Sequence, residues 1–173
     1  MTYQMLINGN LVDANDTVNV INPANETVVA PCPVASLSQL EEAVAAANKA
    51  FSSWKNTTFE ERAEKIAAMN AVIAENADEL AEILVKEQGK PLAAAQAEVM
   101  FSQMFAEHFA SIQSEPTVLM ETDEQRVEVH RRPLGVVAGI CPWNFPLLIT
   151  VYKLAPALMM GNTVIIKPAP TTP

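Results

Sequence analysis

Residues 135–167 read GVVAGICPWNFPLLITVYKLAPALMMGNTVIIK, and this stretch, from Gly135 to Lys167, decides the fold. Val136 to Ile140 is apolar without alternation, the pattern of a strand buried on both faces. Leu147 to Met160 predicts a helix kinked at Pro156 and ended by Gly161-Asn162, and Thr163 to Lys167 predicts a second apolar strand. Strand, helix and strand at these lengths make a βαβ unit with a parallel pair. Parallel strands end on the same side, and ligands of open α/β sheets gather beyond those ends. The loops Cys141-Pro142-Trp143-Asn144-Phe145 and Lys167-Pro168-Ala169-Pro170 are therefore expected to converge, one offering an amide side chain and the other an ammonium group. An uncharged donor beside a cation suits a site that stabilises developing negative charge and holds a phosphate or ribose.

Ahead of this stretch the pattern differs. Met5-Leu6-Ile7 and Leu11-Val12 flank Asn8-Gly9, a dipeptide that tolerates positive φ, so the chain is expected to open on a β-hairpin. Val18, Val20 and Ile21, then Thr27 to Val29, predict two more short strands around Asn22-Pro23-Ala24-Asn25. Cys32, between Pro31 and Pro33, is expected in a loop. Ser38-Gln39-Leu40-Glu41 has the spacing of a capping box before an Ala-rich helix to Trp54, and Thr58-Phe59-Glu60-Glu61 repeats the signal. The helical pattern then runs to about Gln88 with a break near Asn76, and stops at Gly89 with Pro91 beyond. Pro91 is expected to begin a further helix carrying Met100, Phe101, Met104, Phe105, His108 and Phe109 on one side before Pro116. Arg126 to Arg132 alternates Val127 and Val129 with polar residues, as a half-exposed strand does. Met69, Met100, Met104, Met159 and Met160 read as core fillers.

The whole chain of 173 residues is 50% hydrophobic and 18% charged, with 20 acidic against 11 basic side chains and a net charge of −9. These values fit one soluble globular domain or part of a larger one, and argue against disorder. Phosphate backbones would repel such a chain, and with no basic cluster beyond Arg131-Arg132 no nucleic-acid partner is expected. All the acidic residues precede Gly135, and after it only Lys153 and Lys167 are charged. The apolar run from Leu134 to Met160 is interrupted by Pro142, Pro146, Lys153 and Pro156, and reads as buried core rather than a membrane span. Cys32 and Cys141 have neither CxxC spacing nor a neighbouring His, so no metal site and no disulfide is expected. With no signal-peptide pattern at the start, a reducing, cytoplasmic location follows.

The ordered set Gly135-Val136-Val137, Pro142-Trp143-Asn144-Phe145-Pro146, Lys153-Leu154-Ala155-Pro156-Ala157-Leu158, Gly161-Asn162-Thr163 and Lys167-Pro168 closely resembles the aldehyde dehydrogenase superfamily. Glu87-Gln88-Gly89-Lys90-Pro91-Leu92 and Ile7-Asn8-Gly9 resemble the N-terminal half of that family, and the whole resembles its semialdehyde and general aldehyde dehydrogenases. The resemblance implies an α/β fold: a Rossmann-like βαβ core starting at residues 135–173, preceded over residues 1–134 by the hairpin and helices, with an oligomerisation strand at 126–132. It also implies oxidation of a small aldehyde to a carboxylic acid with NAD or NADP, through a thiohemiacetal on a cysteine, in a homo-oligomer. In that reading Asn144 donates to the oxyanion and Lys153 lies near the catalytic centre. The backbone of Cys141, Pro142 and Trp143 lies along the cofactor, Lys167 binds the adenosine ribose or its phosphate, and Phe145, Leu148 and Tyr152 line the substrate tunnel.

The departures from the family bear on the same roles. Pro170, counted with the cofactor loop, stands where the family often places a Glu that holds the ribose hydroxyls. No stretch matches the motifs of the nucleophilic cysteine or the base glutamate. Cys141 stands where an aliphatic residue is common and reads as a small buried hydrophobe. Taken singly, Asn144 suits the cap of the helix starting near Pro146, Lys167 a solvated strand end, and Tyr152 with Leu148 a core stripe. His108 and His130, with no second ligand or base, read as structural or surface side chains. Thr171-Thr172-Pro173 resembles a helix start, and the strand ending at Lys167 needs further cover. The chain is therefore expected to be the N-terminal part of a longer dehydrogenase and inactive alone. The alternative is a naturally short, non-catalytic protein that binds a nucleotide or pairs with a full-length homologue.

Overall fold

In the computed structural model, which describes residues 3–173, Asn8 and Gly9 take φ of 52° and 77°. Positive φ at both central residues is what a type I′ turn requires. They join β1 (Met5–Ile7) to β2 (Asn10–Val12) antiparallel, as the dipeptide predicts. β3 (Asp16–Ile21) pairs antiparallel with β4 (Val28–Val34), which runs well past Val29. Cys32 is thus a buried strand residue opposite Val18, not a loop residue. Pro31 and Pro33 alternate along β4, so their missing N–H groups fall on its free edge, where a strand tolerates proline.

Helix α1 (Leu37–Trp54) begins two residues earlier than predicted. Its cap is Ser36, whose side chain accepts from Gln39 N while the Gln39 side chain accepts from Ser36 N. α2 (Phe59–Glu75) starts from the Thr58/Glu61 box as read, and breaks at Asn76 into α3 (Ala77–Gln88). Gly89, at φ 81°, ends α3 in the left-handed conformation. Pro91 flanks α4 (Leu92–Ala110) rather than beginning it. The buried face of α4 is Ala95, Glu98, Val99, Ser102 and Ala106, whereas Met100 and Met104, expected inside, are exposed, as is Phe101. Small residues at helical spacing let α4 lie close to α2, α3 and α5, and the larger side chains turn outward. β5 (Thr117–Glu121), absent from the sequence reading, pairs with β6 (Arg126–Val129). β6 ends three residues short of Arg132, and both of its valines stay exposed because no second layer of the described residues covers this pair.

β7 (Val136–Ile140), α5 (Pro146–Met159) and β8 (Thr163–Lys167) form the expected βαβ unit, with β7 and β8 parallel from Val136 opposite Thr163 to Ile140 opposite Lys167. In these residues β7 is not buried on both faces: Gly139 is covered, while Ile140 is 68% exposed. The sheet here has two strands, so part of each apolar surface finds no neighbour. A Cβ at Gly139 would lie 2.7 Å from Ile166 Cδ1 and 3.4 Å from Lys153 Cβ. Glycine there permits α5 to approach the sheet. The core joins Ile66 of α2, Ala106 of α4 and Val151, Ala155 and Met159 of α5, with a second cluster of Ala81, Leu84, Ala95 and Val99 between α3 and α4.

The C-terminal end of α5 is tied to the rest of the chain carbonyl by carbonyl. Asn162 Nδ2 donates to Ala157 O, Trp54 Nε1 to Leu158 O and Arg62 Nη1 to Met159 O. Asn162 Oδ1 accepts from the N–H groups of Leu134 and Gly135, fixing the entry to β7. These contacts explain why Gly161-Asn162-Thr163 follows the helix as a unit.

Buried Glu87 accepts from the Tyr3 hydroxyl at 2.6 Å, and burial pushes its pKa up, opposed by that hydrogen bond. A carboxyl that holds its proton more tightly in the folded state loses stability as pH rises through its folded pKa. Glu87→Gln keeps an acceptor oxygen and removes the charge. It should therefore raise the melting temperature near neutrality, with the gain shrinking towards about pH 4. Thermal melts across that range check this, and a gain independent of pH would contradict it.

Candidate active site

The ladder of β7 and β8 continues one step beyond the strands, Cys141 N donating to Lys167 O at 3.0 Å. The two loops therefore leave the same edge of the sheet side by side. Cys141 itself turns inward and is buried, its sulfur 3.4 Å from the Thr150 hydroxyl, which donates to Pro146 O. Pro142, Trp143, Asn144 and Phe145 are exposed. Lys167 is exposed and spends one N–H on Pro168 O at 3.1 Å, leaving the rest of its ammonium free, and Pro170 is exposed beyond it.

Asn144 does not cap α5. Pro146 is the first residue of that helix and has no N–H to satisfy, and the next two, of Leu147 and Leu148, donate to Glu98 Oε1 at 2.9 and 3.2 Å. Glu98 stands on α4 and is fully buried. It takes the place of a local cap, and it also fills the position where a helix N-terminus would otherwise draw an anion. Its second oxygen, Oε2, pairs with Lys90, whose ammonium donates to Asn144 O at 3.0 Å and lies 4.5 Å from the centroid of the Phe145 ring. The Asn144 side-chain amide makes no hydrogen bond among the described residues. It is a free neutral donor on a loop held from behind by a buried ion pair.

Neither Lys90 nor Glu98 was singled out as a site residue from the sequence. Glu98 did leave a signal: it is the charged residue on the otherwise uncharged buried face of α4, where an unpartnered charge would be costly.

Phe145, Leu148 and Tyr152 lie along one side of the start of α5. The Tyr152 ring meets Phe105 and Phe109 of α4 edge-on, at centroid separations of 5.4 and 5.9 Å. Tyr152 and Phe145 nonetheless keep much of their surface open, so this is an accessible aromatic wall rather than core. Lys153 lays its stem over Gly139 under the same helix. His108 meets Phe109 edge-on, and exposed His130 bonds Glu128 at 2.9 Å. Among the described residues no three His, Cys, Asp or Glu side chains gather as metal ligands, and both thiols are buried. The arrangement offers an unengaged neutral donor, a free cation at the neighbouring loop and an aromatic wall, but no accessible sulfur among the described residues.

The model of the aldehyde dehydrogenase family matches residues 11–173. The glutarate-semialdehyde dehydrogenase of Pseudomonas putida is 37% identical over 98% of this chain and 36% of its own length. The NADP(+) succinate-semialdehyde dehydrogenase of Escherichia coli is also 37% identical, again over 98% of this chain and 36% of that protein. The crystal structure of an aldehyde dehydrogenase from Brucella melitensis superimposes with a TM-score of 0.93 at 40% identity, covering 98% of this chain and 36% of that one. The chain spans about a third of the length of the curated relatives it matches. No described helix is long and apolar enough to cross a membrane.

Proposed function

The chain belongs to the aldehyde dehydrogenase family, and from that premise we propose that it supplies the oxyanion donor and the cofactor-facing loops for NAD(P)-dependent oxidation of a small aldehyde to a carboxylic acid. The observation that carries this reading is the uncommitted amide of Asn144 at the end of a parallel strand pair, beside the loop of Lys167. When a thiolate attacks an aldehyde, the carbonyl oxygen gains charge, and a donor already in place stabilises it without reorganisation. Asn144 Nδ2 is that donor. The α5 amides do not compete for the role, because Glu98 holds them.

The residues present fit a dinucleotide: the free N–H groups of Lys167 suit a ribose or phosphate, and Pro142 and Trp143 give an exposed flank at the sheet edge. When bound, NAD(P) supplies the hydride acceptor. Pro170 offers no carboxylate to the ribose hydroxyls, so the reading carries NAD and NADP alike. Phe145, Leu148 and Tyr152 would wall the aldehyde side, with Lys153 beneath. Attack and hydrolysis need a cysteine and a glutamate whose motifs have no match in these residues. The exposed β5–β6 hairpin, with Val118, Leu119, Met120, Val127 and Val129 uncovered, suits an arm that pairs subunits of a homo-oligomer. The two free thiols suit the cytoplasm.

Two measurements test the proposal. The purified 173-residue chain should show no aldehyde-dependent reduction of NAD or NADP. Grafted in place of the matching segment of the E. coli succinate-semialdehyde dehydrogenase, the same residues should support NADP-linked oxidation. A folded graft that binds NADP and oxidises no aldehyde would refute the proposed role.

A further inference from the structure

We propose that Lys90 and Glu98 are positioning residues that hold Asn144 as an oxyanion donor, Glu98 by fixing both the first turn of α5 and the Lys90 ammonium, and Lys90 by holding the Asn144 carbonyl. The inference rests on the reading of Asn144 as the donor. A donor on an exposed loop lowers a barrier only if its place is set before charge develops, within roughly half an ångström. Nothing local sets it. Among the described residues, the Asn144 backbone and side chain receive a single hydrogen bond, from Lys90 Nζ to Asn144 O at 3.0 Å.

Lys90 in turn is fixed on two sides. Its side chain is 92% covered, paired with Glu98 Oε2 and set over the Phe145 ring, the residue that follows Asn144. Glu98 is wholly buried, and Oε1 holds Leu147 N and Leu148 N. One carboxylate therefore locks the helix that follows Asn144 and, through Lys90, the peptide of Asn144 itself. A pair serving stability alone would have no need to reach Asn144 O. Apolar residues of similar volume often replace a buried ion pair with no loss of stability.

The variants separate the two contacts. Lys90→Met keeps an apolar stem and removes the donor to Asn144 O. Glu98→Gln keeps an oxygen for the α5 amides and removes the charge that holds Lys90. Glu98→Ala removes both. In the chain itself, ¹⁵N relaxation should show the backbone order parameter at Asn144 and Phe145 falling from about 0.85 to below about 0.6 in Lys90→Met and Glu98→Gln. Amide exchange at Leu147 and Leu148 should stay slow in those two and quicken by about tenfold or more in Glu98→Ala. In the grafted enzyme, Lys90→Met should lower kcat about tenfold with cofactor KM within about twofold. On an Asn144→Ala background it should cost less than about twofold, because it acts through Asn144. A loop that stays ordered in Lys90→Met and Glu98→Gln, or an equal loss of kcat on both backgrounds, overturns the clamp. If Asn144→Ala itself leaves kcat unchanged, the donor reading falls, and with it the catalytic meaning of the clamp. The relaxation result still decides separately whether Lys90 holds the loop.

Discussion

In the grafted enzyme, Asn144→Ala should lower turnover by about a hundred- to a thousandfold, the usual loss for one oxyanion donor. Cofactor KM should stay close to that of the unsubstituted graft. The split follows from when the amide is used. In the proposed role its N–H meets no charge while the dinucleotide docks and meets the developing charge only once sulfur adds to the carbonyl, so its loss would fall on the transition state. The fold should not suffer, since the side chain bonds nothing among the described residues and Glu98 caps the helix behind it. Steady-state kinetics over cofactor and aldehyde concentration measures the split. An unchanged kcat with weakened cofactor binding would move Asn144 to the dinucleotide side of the site. Asn144→Asp is a sharper control: it keeps the shape, replaces the donor by a negative charge, and should be at least as damaging as alanine.

The βαβ unit was legible because a parallel pair needs contiguous apolar strands and a helix of fixed span between them, and Val136 to Lys167 meets both demands. The hairpin at Asn8-Gly9 was legible because few residues accept two positive φ angles in succession. What escaped depends on contacts distant in sequence or on residue size. Ser36-Leu37-Ser38-Gln39 offers a capping box with Gln39 just as Ser38 does with Glu41, and local spacing does not choose between them. On α4 the large Met100 and Met104 drew the reading of the core, yet close helix packing selected Ala95, Ser102 and Ala106. Cys32 was placed in a loop because two prolines flank it, although proline is allowed on an edge strand's free side. β5 has no clean alternation and gained its identity from pairing with β6. At the site, Asn144 and Lys167 were visible at the ends of the strands. Glu98 showed only as an acidic position on the buried face of α4; that it caps a helix 49 positions later in the chain follows from no local rule.

Arg62→Ala, remote from the site, should destabilise the chain by about 3 kcal/mol. Arg62 is 5% exposed, and no described carboxylate pairs with it; burial lowers the pKa of its guanidinium. It is kept by oxygens. Nε donates to Thr57 Oγ1 at 2.9 Å, Nη2 to Thr57 O at 2.6 Å and Lys55 O at 3.2 Å, and Nη1 to Met159 O at 3.0 Å. The fork thus gathers carbonyls from the turn after α1 and from the last turn of α5, where a cation also meets the negative end of the helix dipole. Alanine would strand these carbonyls and empty the space against Gly161, whose absent Cβ leaves room for the guanidinium: a Cβ there would lie 3.0 Å from Arg62 Cζ. For a chain of this length, the loss corresponds to a melting temperature lower by about 6–12 °C. Arg62→Lys should recover only part of it, because one ammonium cannot reach all four oxygens in the directions a planar fork supplies. The site should feel the change weakly, since α5 is anchored separately at its other end by Glu98, about 20 Å along the helix. Thermal unfolding of Arg62→Ala and Arg62→Lys, each beside the parent chain, tests the assignment. An alanine variant melting within about 2 °C of the parent would show that water replaces the guanidinium at those carbonyls without loss.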